Sequence, residues 1–361
     1  MTIRDVADFK LTLGTADFSE KLKNSVLSIE VEQVSDGASS FKVELDDFHA
    51  TFSDGSVDIK EGMSCQVELG YQGTGTQKLI EGIITGIGTK RNGGSVHYVV
   101  TGFDGLQALS RGRKRRSWEE MKDSDIASTI AGECGLEADV EDSGIIHPYI
   151  AQNNRTDLDF LMERARRIGF ELKVEEKRLV FKKPDLSSDS VATLCWGEDN
   201  YDESDDKNVH LTRCDIRSST RGVVKKVVVR SYDPATAKEI IGESETIDGG
   251  TMGGATEAGD AAASNNPDTT IQISRIPVAS QEEAERLAAS ILNERADKFM
   301  TGKAYCDGCN KIVCGKKVTF KGMGAGLDGD YYVKSAKHTL KGGTGTDAGY
   351  KTEFTVGRSG R

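Results

Sequence analysis

Residues 8–110 alternate apolar and polar positions in six short runs, and this period of two predicts six β-strands. Gly, Asn, Asp or Ser separates most of the runs, as expected at turns between strands. Because each strand would bury only one face, the six strands favour a barrel or a sandwich. The runs are DFKLTLG, VLSIEVEQV, SFKVELDD, SCQVELGYQG, QKLIEGIITGIGTK and VHYVVTGFDG.

Residues 111–185 change to a helical period. The basic run RGRKRRSWEEM is predicted to turn helical, and in DSDIASTIAGECGL the apolar positions share one helical face. Asp123 or Ser124 is suited to cap that helix, and Gly135 to end it. The next stretch, QNNRTDLDFLMERARRIGFELKVEEKRLVF, predicts a capped helix that ends at Gly169 and is followed by a hairpin. A small α/β module is therefore predicted in the middle of the chain.

That stretch also contains a dense group of charges. Asp157, Asp159 and Glu163 could act as paired carboxylates in general acid–base chemistry, as in a peptidoglycan hydrolase. However, Asp157 and Asp159 fall in the first predicted helical turn, where Thr156 and Asp159 resemble a capping box and negative charge suits the helix dipole. Glu163 precedes Arg167 by four residues, a stabilising spacing. We prefer the structural interpretation, with the hydrolase as the alternative.

Residues 186–361 return to strands, interrupted by two other segments. IDGGTMGGATEAGDAAASNNPDTT has no periodicity and predicts a long loop over 248–270. A helix is predicted over 281–299, with Ser280 and Glu283 as a capping box. The series EGMSCQVELGY, EGIITGIGTK and VHYVVTGFD resembles CGKKVTFKGMG, DGDYYVKSAKHTL and YKTEFTVGR. This internal repeat favours two related barrels on either side of the α/β module.

Seven cysteines, an odd number and mostly far apart, argue for reduced thiols over a disulfide framework. Cys306, Cys309 and Cys314 have a spacing that suits zinc or redox chemistry. A structural zinc site needs a fourth ligand, and His338 is the only histidine nearby in sequence. A thiol-bearing turn is the favoured interpretation, and no metal, cofactor or catalytic residue is predicted.

Charge and hydropathy restrict the partners. The net charge of −11 disfavours nucleic acid. No apolar run approaches the roughly 20 residues needed to cross a bilayer, and stable membrane association is not expected. The N-terminus MTIRDVADFKLTLG has no apolar h-region, so synthesis in the cytoplasm without a signal peptide is expected. The basic run is predicted to contact acidic protein surface, for example 196–206, through Arg113, Arg115 and Arg116.

Seven pieces of this chain, in this order, resemble the phage late control protein D family. Relatives of that family include the central hub of contractile-tail baseplates and the N-terminal part of type VI secretion spike proteins. The resemblance covers roughly residues 8–358. The pieces are EGMSCQVELGYQG, KLIEGIITGI, VVTGFDGLQALSRGR, WEEMKDSDIASTIAGECGLEADVE, QNNRTDLDFLMERARRIGFEL, LAASILNERA and LDGDYYVKSAKHTL with GYKTEFTVGR.

The resemblance implies a β-rich α+β chain with two tube-type barrels and an inserted LysM-like α/β module. The implied domains are residues 1–110, 111–185 and 186–361. It also implies a homotrimer whose six barrels adapt a hexameric tail tube to a trimeric spike. Such a baseplate hub is a structural protein that acts without chemistry, inside a phage tail or a tail-like particle.

The implied partners are the tail tube protein, a spike and other baseplate proteins. The sequence ends at Arg361 without the OB-fold and β-helix of fused spike proteins, so the spike is expected to be a separate chain or to have been removed from this one. Glycan binding by a LysM-like module over 113–183 is a further alternative. The strands around 67–70 and 317–322 are expected to help build the ring, with the candidate interface residues Val67, Leu69, Val318 and Phe320.

Overall fold

The computed structural model describes residues 6–18, 22–202, 205–233, 236–247, 252–253, 256–265, 269–343 and 348–361. The helices are α1 (Leu106–Leu109), α2 (Asp123–Glu133), α3 (Asp157–Ile168), α4 (Ala258–Asn265) and α5 (Gln281–Ala296). The strands are β1 (Ala7–Leu13), β2 (Ala16–Asp17), β3 (Val26–Val34), β4 (Ser40–Asp46), β5 (Ser64–Tyr71), β6 (Gly75–Asn92), β7 (Ser95–Asp104), β8 (Lys114–Lys122), β9 (Glu137–Val140), β10 (Ile146–Arg155), β11 (Glu171–Glu175), β12 (Arg178–Lys182), β13 (Ala192–Cys195), β14 (Asn208–Ser218), β15 (Lys226–Asp233), β16 (Lys238–Ser244), β17 (Thr270–Ile273), β18 (Met300–Asp307), β19 (Lys317–Lys321), β20 (Gly329–Lys341) and β21 (Gly349–Arg358).

The first sheet has the spatial order β3, β4, β7, β6, β5 and β1, with the short β2 beside β1. It confirms the six strands predicted from the alternation of apolar and polar positions. Leu11, Val43 and Val67 are among the inward-facing side chains, and each is almost completely buried in one core. Within the described residues, β1 and β3 do not pair with each other, so this sheet curves around its core without closing by hydrogen bonds.

The second barrel is closed. Its strands follow the order β19, β13, β14, β18, β21 and β20, and β19 pairs with both β13 and β20. Phe320, Tyr331 and Phe354 fill the interior, where the ring centroids of Phe320 and Tyr331 lie 5.0 Å apart. Of the two barrels predicted from the sequence, this one is closed, whereas the first is an open sheet.

The intrachain joint, as we call it, connects the first sheet to the second barrel through β20. Residues 329–332 of β20 pair with β19 and close the barrel. Residues 335–341 pair instead with 28–34 of β3, which makes one continuous sheet of 13 strands. As a consequence, Leu340 and Tyr350 of the second barrel lie in the core of the first sheet.

The first sheet and the second barrel share irregularities as well as strand order. Pairing of β6 with β7 shifts register at a bulge, and pairing of β20 with β21 shifts at the corresponding place. The same is true of β3 with β4 and of β14 with β18. Matching bulges support the internal repeat, because a bulge re-aims a strand and is a specific feature. The shifts lie at Ile84/Gly86 in β6, Val333/Ser335 in β20, Val26/Ser28 in β3 and Leu211/Arg213 in β14.

The middle segment, as we call residues 111–185, forms a third core. Helices α2 and α3 pack with the ribbon of β8 and β10 and with a sheet of order β11, β12, β9. The prediction that the basic run turns helical is wrong, since 114–122 is strand β8, with Trp118 buried and its neighbours Ser117 and Glu119 exposed. Helix α3 confirms the predicted cap, because Thr156 Oγ1 accepts a hydrogen bond from Asp159 N at 3.0 Å. Gly169 ends it with φ of 71°.

Helix α5 covers a small sheet of order β16, β15, β17 and corresponds to the predicted helix 281–299, ending at Ala296. Ser280 Oγ accepts from Glu283 N at 3.1 Å, which confirms the predicted N-cap. A Cβ on Gly242 would lie 2.2 Å from the carbonyl carbon of Ala284, so only glycine allows α5 to lie this close to β16.

The sequence predicts a loop over the whole of 248–270, and this prediction is wrong for part of the segment. Helix α4 occupies 258–265 and packs two alanines, Ala258 and Ala262, into the core of the second barrel. The small side chains gave too weak an apolar pattern to indicate a helix. The remainder of the predicted loop falls largely on 248–251, 254–255 and 266–268, which lie outside the described residues.

Candidate functional site

The carboxylates considered as catalytic are engaged in ion pairs and helix capping. Asp157 is 2% exposed. Its Oδ1 accepts from Arg116 Nη2 at 2.9 Å and Gln152 Nε2 at 2.8 Å, and its Oδ2 lies 2.6 Å from Lys114 Nζ. This arrangement fixes the start of α3 against β8 and β10.

Glu163 pairs with Arg155 at the surface of the middle segment. The predicted pair with Arg167 is wrong, because Arg167 Nη2 donates instead to Glu283 Oε1 of α5 at 2.8 Å. A contact between helices more than 100 residues apart therefore replaces the local helical pair. Asp159 sits in the capped first turn of α3, as predicted. Nothing in these contacts aligns two carboxylates on a common substrate position.

A buried charge cluster lies beneath this surface and was missed from sequence. Asp123 is 1% exposed, and its Oδ1 and Oδ2 accept from Arg164 Nε at 2.5 Å and Arg164 Nη2 at 3.0 Å. His147 Nε2 lies 3.1 Å from Asp123 Oδ2. Burial raises the pKa of Asp123, but hydrogen bonds from His147 and Arg164 outweigh it and hold that pKa below its usual value. Asp123 was expected to cap α2 and instead anchors α3.

A cleft of about 690 Å³ opens above the cluster, between the middle segment and the sheet of β15 and β16. Its floor contains Arg164 and Glu283, whose charges are paired within the chain. Tyr149 and Tyr232 are largely exposed at its walls. The cleft therefore combines an ion-paired floor with aromatic walls.

Asp104 is a second carboxyl group with a shifted pKa, and its contacts have a structural role. Burial raises the pKa of Asp104 to about 6, against hydrogen bonds from backbone groups that lower it. Those groups are Ser39 N, at 2.9 Å from Oδ2, and Leu106 N, at 3.0 Å from Oδ1. Asp104 thus fixes the exit of β7 and the start of α1. In the sequence, Asp104 looks like an ordinary polar residue in an alternating strand, so the sequence did not indicate this role.

The cysteine-bearing turn lies at the intrachain joint. Cys314 Sγ lies 3.1 Å from Lys334 O, and burial raises the pKa of Cys314 to about 12. His338 is completely buried, with Nε2 3.0 Å from Ile312 O and Nδ1 2.9 Å from the Tyr350 hydroxyl. Both ring nitrogens thus have protein partners. In the part of the chain that the structure describes, no group of three His, Cys, Asp or Glu side chains is arranged to hold a metal.

The turn also contacts the first sheet directly. Asn310 Nδ2 donates to Leu69 O at 3.0 Å, and Cys314 N donates to Gln33 Oε1 at 3.1 Å. Val313 packs against the core of the first sheet. The joint is therefore both a strand pairing and a turn seated on the neighbouring sheet.

The apolar interface candidates point into the chain's own cores. Val67 and Leu69 are completely buried in the first sheet, and Val318 and Phe320 are at most 1% exposed in the second barrel. These side chains cannot contact another molecule while the fold is intact. The alternation of β-strands explains this, since the outward residues of the same strands are their polar neighbours.

The three arginine candidates divide between surface and interior contacts. Arg113, just before β8, is exposed and donates to Asn154 O at 3.2 Å, and Arg115 is exposed on β8. Arg116 is held within the chain, because it pairs with Asp157 and Glu133 and lies 4.5 Å from the Trp118 ring centroid. The acidic stretch 196–206 is described except at 203–204, and Asp206 pairs there with Lys311.

The fold is that of phage tail proteins. The chain is similar to the 43 kDa tail protein of prophage MuSo2 from Shewanella oneidensis, with a TM-score of 0.70, 15% identity, and 97% of this chain and 98% of that chain covered. It is also similar to a tail protein from Neisseria meningitidis, with a TM-score of 0.69, 16% identity, and 98% and 96% covered. A type VI secretion component from E. coli matches with a TM-score of 0.55, 11% identity, and 92% and 73% covered. The resemblance found in the sequence is confirmed.

The profile of a family described as the Alg8 N-terminal domain matches residues 4–342, and the chain belongs to this family. Among curated proteins, no sequence matches the chain. None of the helices in the described residues has the length and apolar character needed to cross a bilayer.

Proposed function

We propose that this chain is the structural hub of a contractile tail or injection system. Three copies form a ring that presents six similar units to a hexameric tail tube and three-fold symmetry to a spike. The tube protein, a spike and other baseplate proteins are its partners. The hub acts by shape and symmetry and catalyses no reaction.

The observation that carries this proposal is the correspondence between the first sheet and the second barrel. Both have the same strand order, and both contain bulges at corresponding positions. A chain with two similar units can place six such units in a ring of three copies. Where the two units are alike, one face of the ring can match a partner with six-fold symmetry. Where the two units differ, the other face can match a partner with three-fold symmetry.

The contacts of the charged groups favour an assembly role over an enzyme. Asp157, Glu163 and Asp123 are each paired with arginine or lysine inside the chain. The similar folds of prophage tail proteins support the same choice. The middle segment, residues 111–185, is proposed to be the inserted module that separates the two ring-forming units.

The oligomeric state tests the proposal. Light scattering on the purified chain should give about 117 kDa, three times the 39.0 kDa of one chain, and this mass should persist on dilution into the low micromolar range. Image classification of the same sample should show a ring with three-fold symmetry. A stable monomer, or a ring of six chains, would contradict the hub proposal.

A further inference from the structure

Two strand segments correspond, by the internal repeat, to the two segments that pair in the intrachain joint. Among the described residues, these two corresponding segments do not pair with each other. The register places residues 86–92 of β6 where 335–341 lie in β20, since each follows the corresponding bulge. It likewise places 213–218 of β14 where 28–33 lie in β3. In the joint, 335–341 and 28–34 pair with each other.

The corresponding edges are open within the chain. Residues 86–92 of β6 pair with β7 on one side, and no described strand pairs with their other side. Residues 213–218 of β14 pair with β18 on one side. Among the described residues, no strand pairs with their other side either. Lys90, Arg91, Arg213, Asp215 and Arg217 are exposed on these edges. An open strand edge presents unpaired N–H and C=O groups that readily pair with another strand.

We propose that residues 86–92 of β6 pair, antiparallel, with residues 213–218 of β14 in a second copy of this chain. The inference rests on the proposed hub function and specifies the contact between its copies. The register of the intrachain joint, where Thr339 faces Glu30, sets the register between copies. Lys90 of one copy then faces Asp215 of the next.

The side chains fit this register. Lys90, whose Nζ lies 2.5 Å from Glu44 Oε1 within its own chain, and Asp215 have opposite charges. Opposite charges directly across an antiparallel pair stabilise it. The intrachain joint also has an opposite-charge contact, although a diagonal one, since Lys337 faces Glu32 and its Nζ lies 3.0 Å from Glu30 Oε2. Gly86 and Gly88 leave room on the β6 edge for close approach of another strand.

Two exposed aromatic residues lie where the neighbouring turns would meet. In the joint, the turn between β18 and β19 sits on the end of β5 through the contact of Asn310 with Leu69. Its counterpart, the loop between β4 and β5, carries Phe48, which is 65% exposed. The counterpart of the β5 end is the end of β19 near Gly322, and the half-exposed Trp196 lies beside it. Pairing of the two edges brings Phe48 of one copy towards Trp196 of the next.

The heterologous contact closes into a ring. Each copy offers one β6 edge and one β14 edge, so copies join head to tail. Closure at three copies alternates three intrachain joints with three joints between copies. The result is one continuous sheet around the ring.

Paired cysteines test the register. Lys90→Cys with Asp215→Cys places two thiols on directly opposed residues, whose Cα separation of about 4.5–5.5 Å suits a disulfide. Under mild oxidation, most of the chain should become covalent trimer, with a disulfide between peptides containing positions 90 and 215. The matched control is Asn92→Cys with Arg217→Cys. Those positions would lie four residues out of register, about 13 Å apart, and should remain uncoupled.

A second variant tests the aromatic contact. Phe48→Ser should weaken trimer association at least tenfold by sedimentation, whereas Tyr149→Ser, which removes another exposed aromatic away from both edges, should leave association unchanged. Circular dichroism verifies that both variants remain folded.

The outcomes separate the two proposals. A trimeric chain in which positions 90 and 215 do not couple would overturn the strand pairing and leave the hub function standing. A monomeric wild-type chain would overturn the hub function and, with it, the pairing. Covalent chains that extend beyond three copies would support the edge contact but contradict three-fold closure.

Discussion

Replacing Asp123 by Ala is expected to lower the free energy of unfolding by about 3–5 kcal/mol, because it leaves Arg164 buried without its carboxylate. Arg164 is 7% exposed and has both of its hydrogen bonds to Asp123 within 3.0 Å. His147 loses the nearer of its two carboxylate neighbours in the same variant, and keeps Glu283, whose Oε1 lies 3.8 Å from His147 Nδ1. Urea unfolding of the purified protein, followed by circular dichroism, measures the loss.

The matched control for this variant is Glu163→Ala. Glu163 also pairs with an arginine of the middle segment, but both members of that pair are almost half exposed. Solvent screens an exposed pair, so its loss should change stability by only about 0–1 kcal/mol. Equal losses in the two variants would show that the Asp123 cluster does not hold the helices of the middle segment together.

His338 is expected to contribute a loss of stability on acidification, whereas the raised pKa of Asp104 contributes in the opposite direction over the same pH range. Burial lowers the pKa of His338 to about 4, whereas the unfolded value is near 6.5. The unfolded chain therefore binds a proton over this range that the folded chain does not. The stabilisation from neutral His338 is fully present above pH 6.5 and is lost as the pH falls towards 4. About 3 kcal/mol is lost in total from this group.

Comparison of variants isolates this contribution. His338→Gln should remove the His338 part of the pH slope between 6.5 and 4 in unfolding experiments. Val31→Ala changes the residue that faces His338 across the joint, and it should lower stability by the same amount at each pH. If His338→Gln kept the wild-type slope, the buried ring would not be the group that links acid to stability.

The sequence predicted elements whose pattern is local. The six strands of the first sheet follow from alternation alone, and the caps at Thr156 and Ser280 follow from residues three positions apart. Strand β8 was missed because its charged residues resemble a solvated helix until Trp118 is seen buried against α2 and α3. Helix α4 was missed because alanines give little contrast between faces.

Contacts distant in the sequence could not be predicted. Asp123 and Arg164 are 41 residues apart, and Arg167 and Glu283 are 116 apart, so no spacing indicates either pair. The buried positions of Val67 and Phe320 also follow from which face of each strand turns inward, which depends on the curvature of the whole sheet. The repeat itself was visible in the sequence, but its open edges appeared only once the strands were paired.

The double use of β20 has a consequence for cooperativity. Residues 329–332 of this strand close the second barrel by pairing with β19. Residues 335–341 of the same strand pair with β3 of the first sheet. Fraying of this strand would open both hydrophobic cores at once, because Leu340 belongs to one and Tyr331 to the other. Two units that could have been independent folding modules are thus fused into a single foldon, whose most protected amide hydrogens should lie along β20.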